Sequence, residues 1–160
     1  MNISRDVLTL SRTSAEPRTM DMTDSHTPQP TRFRALIAED DYAYRVAIAR
    51  MLAEIGIDSV GVEDGLAAAE LLERVDEPLA IAITDFRMPR ASGFRVIEAA
   101  RAFRGPSFPV IMETAESQYS DVYRRALDLG VPLVAKRDIY THLIPAVRTA
   151  LGSTDLALFG

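Results

Sequence analysis

Ala80-Ile81-Ala82-Ile83-Thr84-Asp85-Phe86-Arg87-Met88-Pro89 is an apolar run of strand length that ends abruptly in one aspartate. Its expected neighbours in a sheet are apolar runs as well, which makes it a buried, central strand. Met88-Pro89 stops it, because proline has no N–H and its ring holds the preceding residue extended. One carboxylate is thereby set at the carboxyl edge of a sheet, where open α/β folds place ligands. A lone aspartate there can equally cap the next helix. The rest of the chain decides between the two.

Outward from this stretch, strand and helix alternate from residue 33 onward with short connections, the mark of βαβ units and a parallel sheet. Strands are expected at 33–38, 57–62, 79–84, 108–112 and 131–135. Tyr44, Ile48, Met51, Leu52 and Ile55 recur at helical spacing up to Gly56, and Leu66, Ala69, Leu71 and Leu72 follow the Asp64-Gly65 turn. Phe94, Val96, Ile97 and Ala100 mark a helix over 93–104, and Tyr119, Val122, Tyr123, Ala126 and Leu127 mark another that ends at Gly130. Leu143, Val147, Ala150 and Leu151 mark the last. Pro145 would remove a hydrogen bond in mid-helix, so that helix is expected to begin near Thr141, with Pro145 in its first turn.

Of 160 residues, 48% are apolar, an ordinary share for a globular domain. A net charge of −5 argues against non-specific nucleic-acid binding. The absence of cysteine excludes disulfides, thiolate chemistry and Cys-based zinc sites, and His26 and His142 are too isolated for a His-rich metal site. No apolar run approaches the roughly 20 residues of a membrane span, and the N-terminus lacks signal-peptide features. The expectation is a cytoplasmic protein. It divides into a Ser/Thr/Pro-rich tail over 1–32, a folded domain over 33–152 and a short C-terminal tail over 153–160. The first tail has too little apolar surface to offset the entropy of ordering it and is expected to be flexible; a short docking helix around 3–10 is the alternative.

All strand ends of a parallel sheet meet along one edge. Here polar groups follow four of the five: Glu39-Asp40-Asp41, Asp85, Glu113-Thr114 and Lys136. With strands one and three adjacent, two or three carboxylates converge and repel one another. Mg²⁺ relieves this, taking oxygen ligands from one or two carboxylates while leaving positions for water or phosphate. Thr114 can offer a hydrogen bond and Lys136 a charge to phosphate oxygens. Asp85 is then the nucleophile, since a carboxylate can form an acyl phosphate. Taken singly, these residues have plainer readings. Glu39 and Asp41 suit the positive end of a helix, Thr114 a helix N-cap, Lys136 and Arg45 the surface, and the tyrosines the core. It is the combination of Asp40, Asp85, Thr114 and Lys136 that favours a functional site.

In these motifs the sequence resembles the receiver domain of two-component response regulators. The resemblance rests on Ala35-Leu36-Ile37-Ala38-Glu39-Asp40-Asp41 with Arg45, Asp64-Gly65, Thr84-Asp85-Phe86-Arg87-Met88-Pro89 with Gly93, Pro109-Val110-Ile111-Met112-Glu113-Thr114-Ala115, and Lys136. It implies an α/β fold: a doubly wound five-stranded parallel sheet in the order 2-1-3-4-5 with five helices, flavodoxin-like. By the same resemblance Asp85 is the phosphoacceptor, Asp40 a direct Mg²⁺ ligand, Glu39 an acid acting through water, and Arg87 the donor of a backbone carbonyl to the metal. Thr114 is the switch hydroxyl and Lys136 pairs with phosphoryl oxygens. The implied donor is a histidine kinase or histidine phosphotransfer protein. The domain is then a signalling phosphoacceptor that catalyses its own phosphorylation and dephosphorylation, not an enzyme in the usual sense. Its downstream protein target is expected on the face of the fourth helix, fifth strand and fifth helix, in a monomer or weak dimer, with no nucleic acid or membrane involved. No output motif follows residue 151, so a stand-alone receiver is expected.

Departures from the family pattern bear on mechanism. Arg137 stands where proline is common, Leu133 replaces an aromatic residue, the segment from Gly130 to Lys136 is one residue short, and Glu113 occupies a usually apolar position. A buried, unpaired carboxylate is costly, so Glu113 is expected to reach solvent, Lys136 or an arginine. Arg87 and Glu116 are expected to pair across the mouth of the site and slow the approach of water. Leu133 and Glu113 leave open a receiver-shaped interaction module that works without phosphorylation. A phosphohydrolase of the haloacid dehalogenase type is disfavoured, because neither Asp40 nor Asp85 begins an Asp-x-Asp motif.

Overall fold

Side-chain alternation along the strands divides the interior into two apolar layers, one on each face of a single sheet. The computed structural model describes residues 33–117 and 120–155. The stretch over 1–32, on which both the flexible-tail expectation and the alternative docking helix fall, residues 118 and 119, and residues 156–160 lie outside the described residues. The chain runs β1 (Arg34–Ala38), α1 (Tyr42–Ala53), β2 (Asp58–Val62), α2 (Gly65–Glu73), β3 (Leu79–Asp85), α3 (Gly93–Ala99), β4 (Val110–Thr114), α4 (Asp121–Asp128), β5 (Leu133–Ala135) and α5 (Ile139–Asp155). All strand pairs are parallel, in the order β2-β1-β3-β4-β5 that the resemblance implies.

Leu36, Ala38, Ala82, Val110 and Met112 project to one face, where Ala68, Leu72, Val96, Ile97 and Ala126 cover them. Ala35, Ile37, Ile81, Ile83 and Ile111 project to the other, against Ile48, Leu52, Leu143 and Val147. Each fully buried aliphatic side chain contributes about 1.5–3 kcal/mol. β3 is buried on both faces, which explains its unbroken apolar run. At its end Gly93 is required: a Cβ there would lie 2.4 Å from the Asp85 carbonyl oxygen. The Gly93 N–H donates to the Phe86 carbonyl at 3.0 Å, closing the loop over 87–92 at its base.

Two helices differ from expectation. The helix expected over 93–104 is α-helical only to Ala99 and continues as a π-turn over Ala100–Arg104. That turn aims Arg104 at the end of α2, where its guanidinium donates to the carbonyls of Leu72 at 2.9 Å, Glu77 at 2.8 Å, Leu71 at 3.4 Å and Arg74 at 2.5 Å. These include carbonyls that a helix terminus leaves without intrahelical partners. The last helix begins at Ile139, after a 3₁₀ turn over Lys136–Asp138, so Pro145 lies inside it and not in its first turn. Pro145 and Thr141 are both exposed, and water can satisfy the carbonyl that the proline leaves unpaired. The backbone leaves helical geometry at Gly152, where φ is 71°. No helix among the described residues is long and apolar enough to cross a membrane.

Candidate functional site

Three adjacent strands end in carboxyls. Asp85 of β3 is in register with Glu113 of β4, and Ala38, which precedes Glu39, is in register with Thr84. Glu39, Asp85 and Glu113 each follow by two residues an isoleucine (Ile37, Ile83, Ile111) that faces α1 and α5, so alternation sets all three acids on that face.

Lys136, immediately after β5, closes the row. Its Nζ lies 2.6 Å from Glu39 Oε2 and 2.9 Å from Asp85 Oδ2. Asp85 Oδ1 accepts the Phe86 N–H at 2.7 Å, and Glu39 Oε1 accepts the Asp41 N–H at 3.0 Å. Glu39 is fully buried, and burial pushes its carboxyl upward while Lys136 pulls it back. Burial also opposes the charge on Lys136, but its bonds to Glu39 and Asp85 outweigh this and hold the ammonium above its ordinary range. Tyr44, from the first turn of α1, sets its ring centroid 4.7 Å from that ammonium and donates its hydroxyl to the Lys136 carbonyl at 3.4 Å.

Asp40 is exposed on the solvent side of this row. One carboxylate oxygen from each of Glu39, Asp40 and Asp85 lies within 4.8 Å of the others. An all-oxygen set with more negative charge than one lysine balances suits a hard divalent cation. Thr114 is buried at the end of β4 and accepts the Glu116 N–H at 3.0 Å. It caps this turn and not a helix; the N-cap of α4 is Ser120. Asp85, Arg87, Thr114, Ala115, Glu116 and Lys136 line a cavity of about 180 Å³. The exposed Arg87 guanidinium forms an ion pair with Glu116 at its rim, the pairing that their positions suggested.

Three expectations need correction or completion. Glu113 does not reach solvent and pairs with neither Lys136 nor an arginine. It is fully buried, and neither carboxyl oxygen has a hydrogen-bond partner of normal geometry, although the Tyr44 hydroxyl is near. The physical reason is its central place in the sheet, with Tyr44 and Lys136 closing the edge above it. Burial, with the neighbouring Glu39 charge adding to it, pushes its carboxyl to about 9, so it is a neutral acid at pH 7. Arg45 is no mere helix-surface charge: it donates to the Glu39 carbonyl, and its stem packs on Gly61, where a Cβ would lie 2.9 Å from Arg45 Cδ. Tyr44, expected only as core, is part of the site. The available signal was its place three residues after Asp41, which caps α1 by accepting the Tyr44 N–H at 3.0 Å. Such a first turn must stand over the sheet edge.

Comparison with known proteins shows the family. The response regulator receiver domain family matches residues 35–139, and the chain belongs to that family. It is 38% identical over 121 residues to the transcriptional regulatory protein PdtaR of Mycobacterium tuberculosis, covering 74% of this chain and 56% of that one. It is 30% identical over 131 residues to the probable transcriptional regulatory protein NarL of the same organism, covering 81% and 59%. The chain thus spans just over half the length of these relatives. Among solved structures, a response regulator receiver protein from Pseudomonas putida matches with a TM-score of 0.63 at 26% identity, over 74% of this chain and 97% of that one. The response regulator TrrA of Thermotoga maritima, in complex with Mg(2+)-BeF, matches with a TM-score of 0.62 at 26% identity, over 74% and 99%.

Proposed function

We propose that this receiver domain accepts a phosphoryl group on Asp85 from a phosphohistidine of a histidine kinase or phosphotransfer protein, and signals by protein–protein contact. The carrying observation is the 2.9 Å contact of Lys136 Nζ with Asp85 Oδ2 beside a cavity that Thr114 also lines. An Asp85 oxygen attacks phosphorus; the new P–O bond forms as the P–N bond breaks, its electron pair passing to the imidazole nitrogen. Lys136 exchanges its contact with Glu39 for phosphoryl oxygens, and Thr114 donates its hydroxyl to one of them. Glu39, Asp40, Asp85 and the Arg87 carbonyl would hold Mg²⁺, which when bound supplies neutralising charge to those oxygens. The solved complex of TrrA with Mg(2+)-BeF supports the assignment. Water later attacks the acyl phosphate, releasing inorganic phosphate and restoring the carboxylate.

The output surface in this reading is the face of α4, β5 and α5, where Leu127 is exposed and Tyr123 and His142 line a cavity beside β5. The test is the amide NMR spectrum on addition of phosphoramidate and Mg²⁺. Shifts centred on Thr114, Lys136 and α4 are expected, and none in Asp85→Asn. A spectrum unmoved by the donor, in a protein that binds its target regardless, favours instead the phosphorylation-independent module that Leu133 and the buried Glu113 suggest.

A further inference from the structure

Arg90 is the only residue other than glycine with positive φ among the described residues, at 63°. The Ala91 N–H donates to the Pro89 carbonyl at 2.7 Å, so residues 89–91 close an i to i+2 turn with Arg90 at its centre. Turns of this kind with positive φ at the centre are rare and strained, and they persist only where their surroundings impose them.

The surroundings here are the first residues of α2. Arg90 donates to Asp64 Oδ2 at 2.5 Å, while Asp64 Oδ1 caps α2 by accepting the Ala67 N–H at 2.8 Å. Asp64 is buried, and its pairing with Arg90 and the Ala67 N–H holds its carboxyl below the ordinary range. The Arg90 guanidinium also faces Glu63 and Glu70. Next along the chain, Gly65 lies so close to the Ala91 carbonyl that a Cβ on it would stand 2.1 Å from the oxygen. The loop over 87–92 is therefore held at its base by the Gly93–Phe86 hydrogen bond and at its tip by the Asp64-Gly65 turn. That loop carries Arg87, whose carbonyl faces the cation in the reading above and whose side chain meets Glu116.

From this arrangement we infer that Arg90 and Asp64 are positioning residues for the cation site: their ion pair holds the strained turn, and with it the Arg87 carbonyl, in place. The inference rests on the proposed Mg²⁺-dependent phosphoacceptor. Groups that orient a metal's direct ligands commonly cost about 10- to 100-fold in metal affinity or activity when removed.

The test compares the full chain with Arg90→Gly, which keeps positive φ accessible but removes the guanidinium, Arg90→Lys, which keeps the charge, and Asp64→Asn, which keeps the cap. Mg²⁺ affinity is measured by calorimetry, phosphorylation by acetyl phosphate is followed against Mg²⁺ concentration, and amide exchange is read over 87–92. Arg90→Gly and Asp64→Asn are expected to weaken Mg²⁺ binding about tenfold with the maximal rate at saturating Mg²⁺ little changed. Exchange over 87–92 should quicken with no comparable change in the strands. Arg90→Lys should recover most of the affinity. Wild-type affinity and wild-type exchange in both charge-removing variants would overturn the inference. Failure of the wild type itself to bind Mg²⁺ would instead remove the underlying reading and this inference with it.

Discussion

Lys136 Nζ stands 2.9 Å from Asp85 Oδ2, reaching across the end of β4 from the residue after β5 to the last residue of β3. The same ammonium lies 2.6 Å from Glu39 Oε2, so one cation joins both strand-end carboxylates. It is the local counter-charge that lets these acids share one sheet edge.

Lys136→Ala leaves the two acids facing each other without that charge. Loss of charge-assisted hydrogen bonds at a half-buried site should lower stability by about 2 kcal/mol at pH 7, and Tm by roughly 5–10 °C. Thermal melts check this. Lys136→Arg should recover part of the loss, because it keeps the charge but not the shape.

Glu113 makes stability depend on pH. Its carboxyl sits at about 9 in the fold against an ordinary 4.5, so between these values the folded chain holds a proton that the unfolded chain releases. Its contribution is therefore fully present below about 4.5 and is lost as pH rises toward about 9. Glu113→Gln has no proton to lose. It should match the wild type near pH 4.5 and gain on it as pH rises, by up to about 5 kcal/mol at pH 8 if the full shift is expressed. Denaturant melts across this range check the sign; parallel profiles would contradict the assignment.

Arg104 should matter well away from the site. Its hydrogen bonds to four carbonyls around the end of α2 predict that Arg104→Ala is destabilised by about 2–3 kcal/mol. Arg104→Lys should recover less than half, since an ammonium lacks the planar fork. Chemical denaturation gives the comparison, and acetyl phosphate labelling of the variants should be retained.

The Arg87–Glu116 ion pair spans the rim of the cavity beside Asp85. If it slows water's approach, Arg87→Ala should shorten the lifetime of the acyl phosphate, by about 3- to 10-fold for a barrier change near 1 kcal/mol. Loss of the phosphorylated mass after donor removal measures this. An unchanged lifetime would leave the pair without a role in hydrolysis.

Much of this arrangement was legible because it follows the sheet. Strand-length apolar runs that lead into Asp85, Thr114 and Lys136 set those residues on one edge, and the Arg87–Glu116 pairing followed from the family resemblance, in which these positions flank the mouth of the site. Glu113 was misread because alternation gives a residue's face but not what covers it; the cover is Tyr44, from a different element. The π-turn after Ala99 was illegible for a related reason. The turn aims Arg104 at carbonyls around 30 residues away in sequence, and no local pattern records that contact. Pro145 misled because helix rules penalise its missing N–H without registering that the orphaned carbonyl faces water.

The central claim is most directly tested by intact mass after incubation with acetyl phosphate and Mg²⁺, alongside Asp85→Ala and a chelator control. A single phosphoryl increment in the wild type that vanishes in both controls is the predicted result. An increment that persists in Asp85→Ala would contradict the account, because it would place the phosphoryl group on another residue.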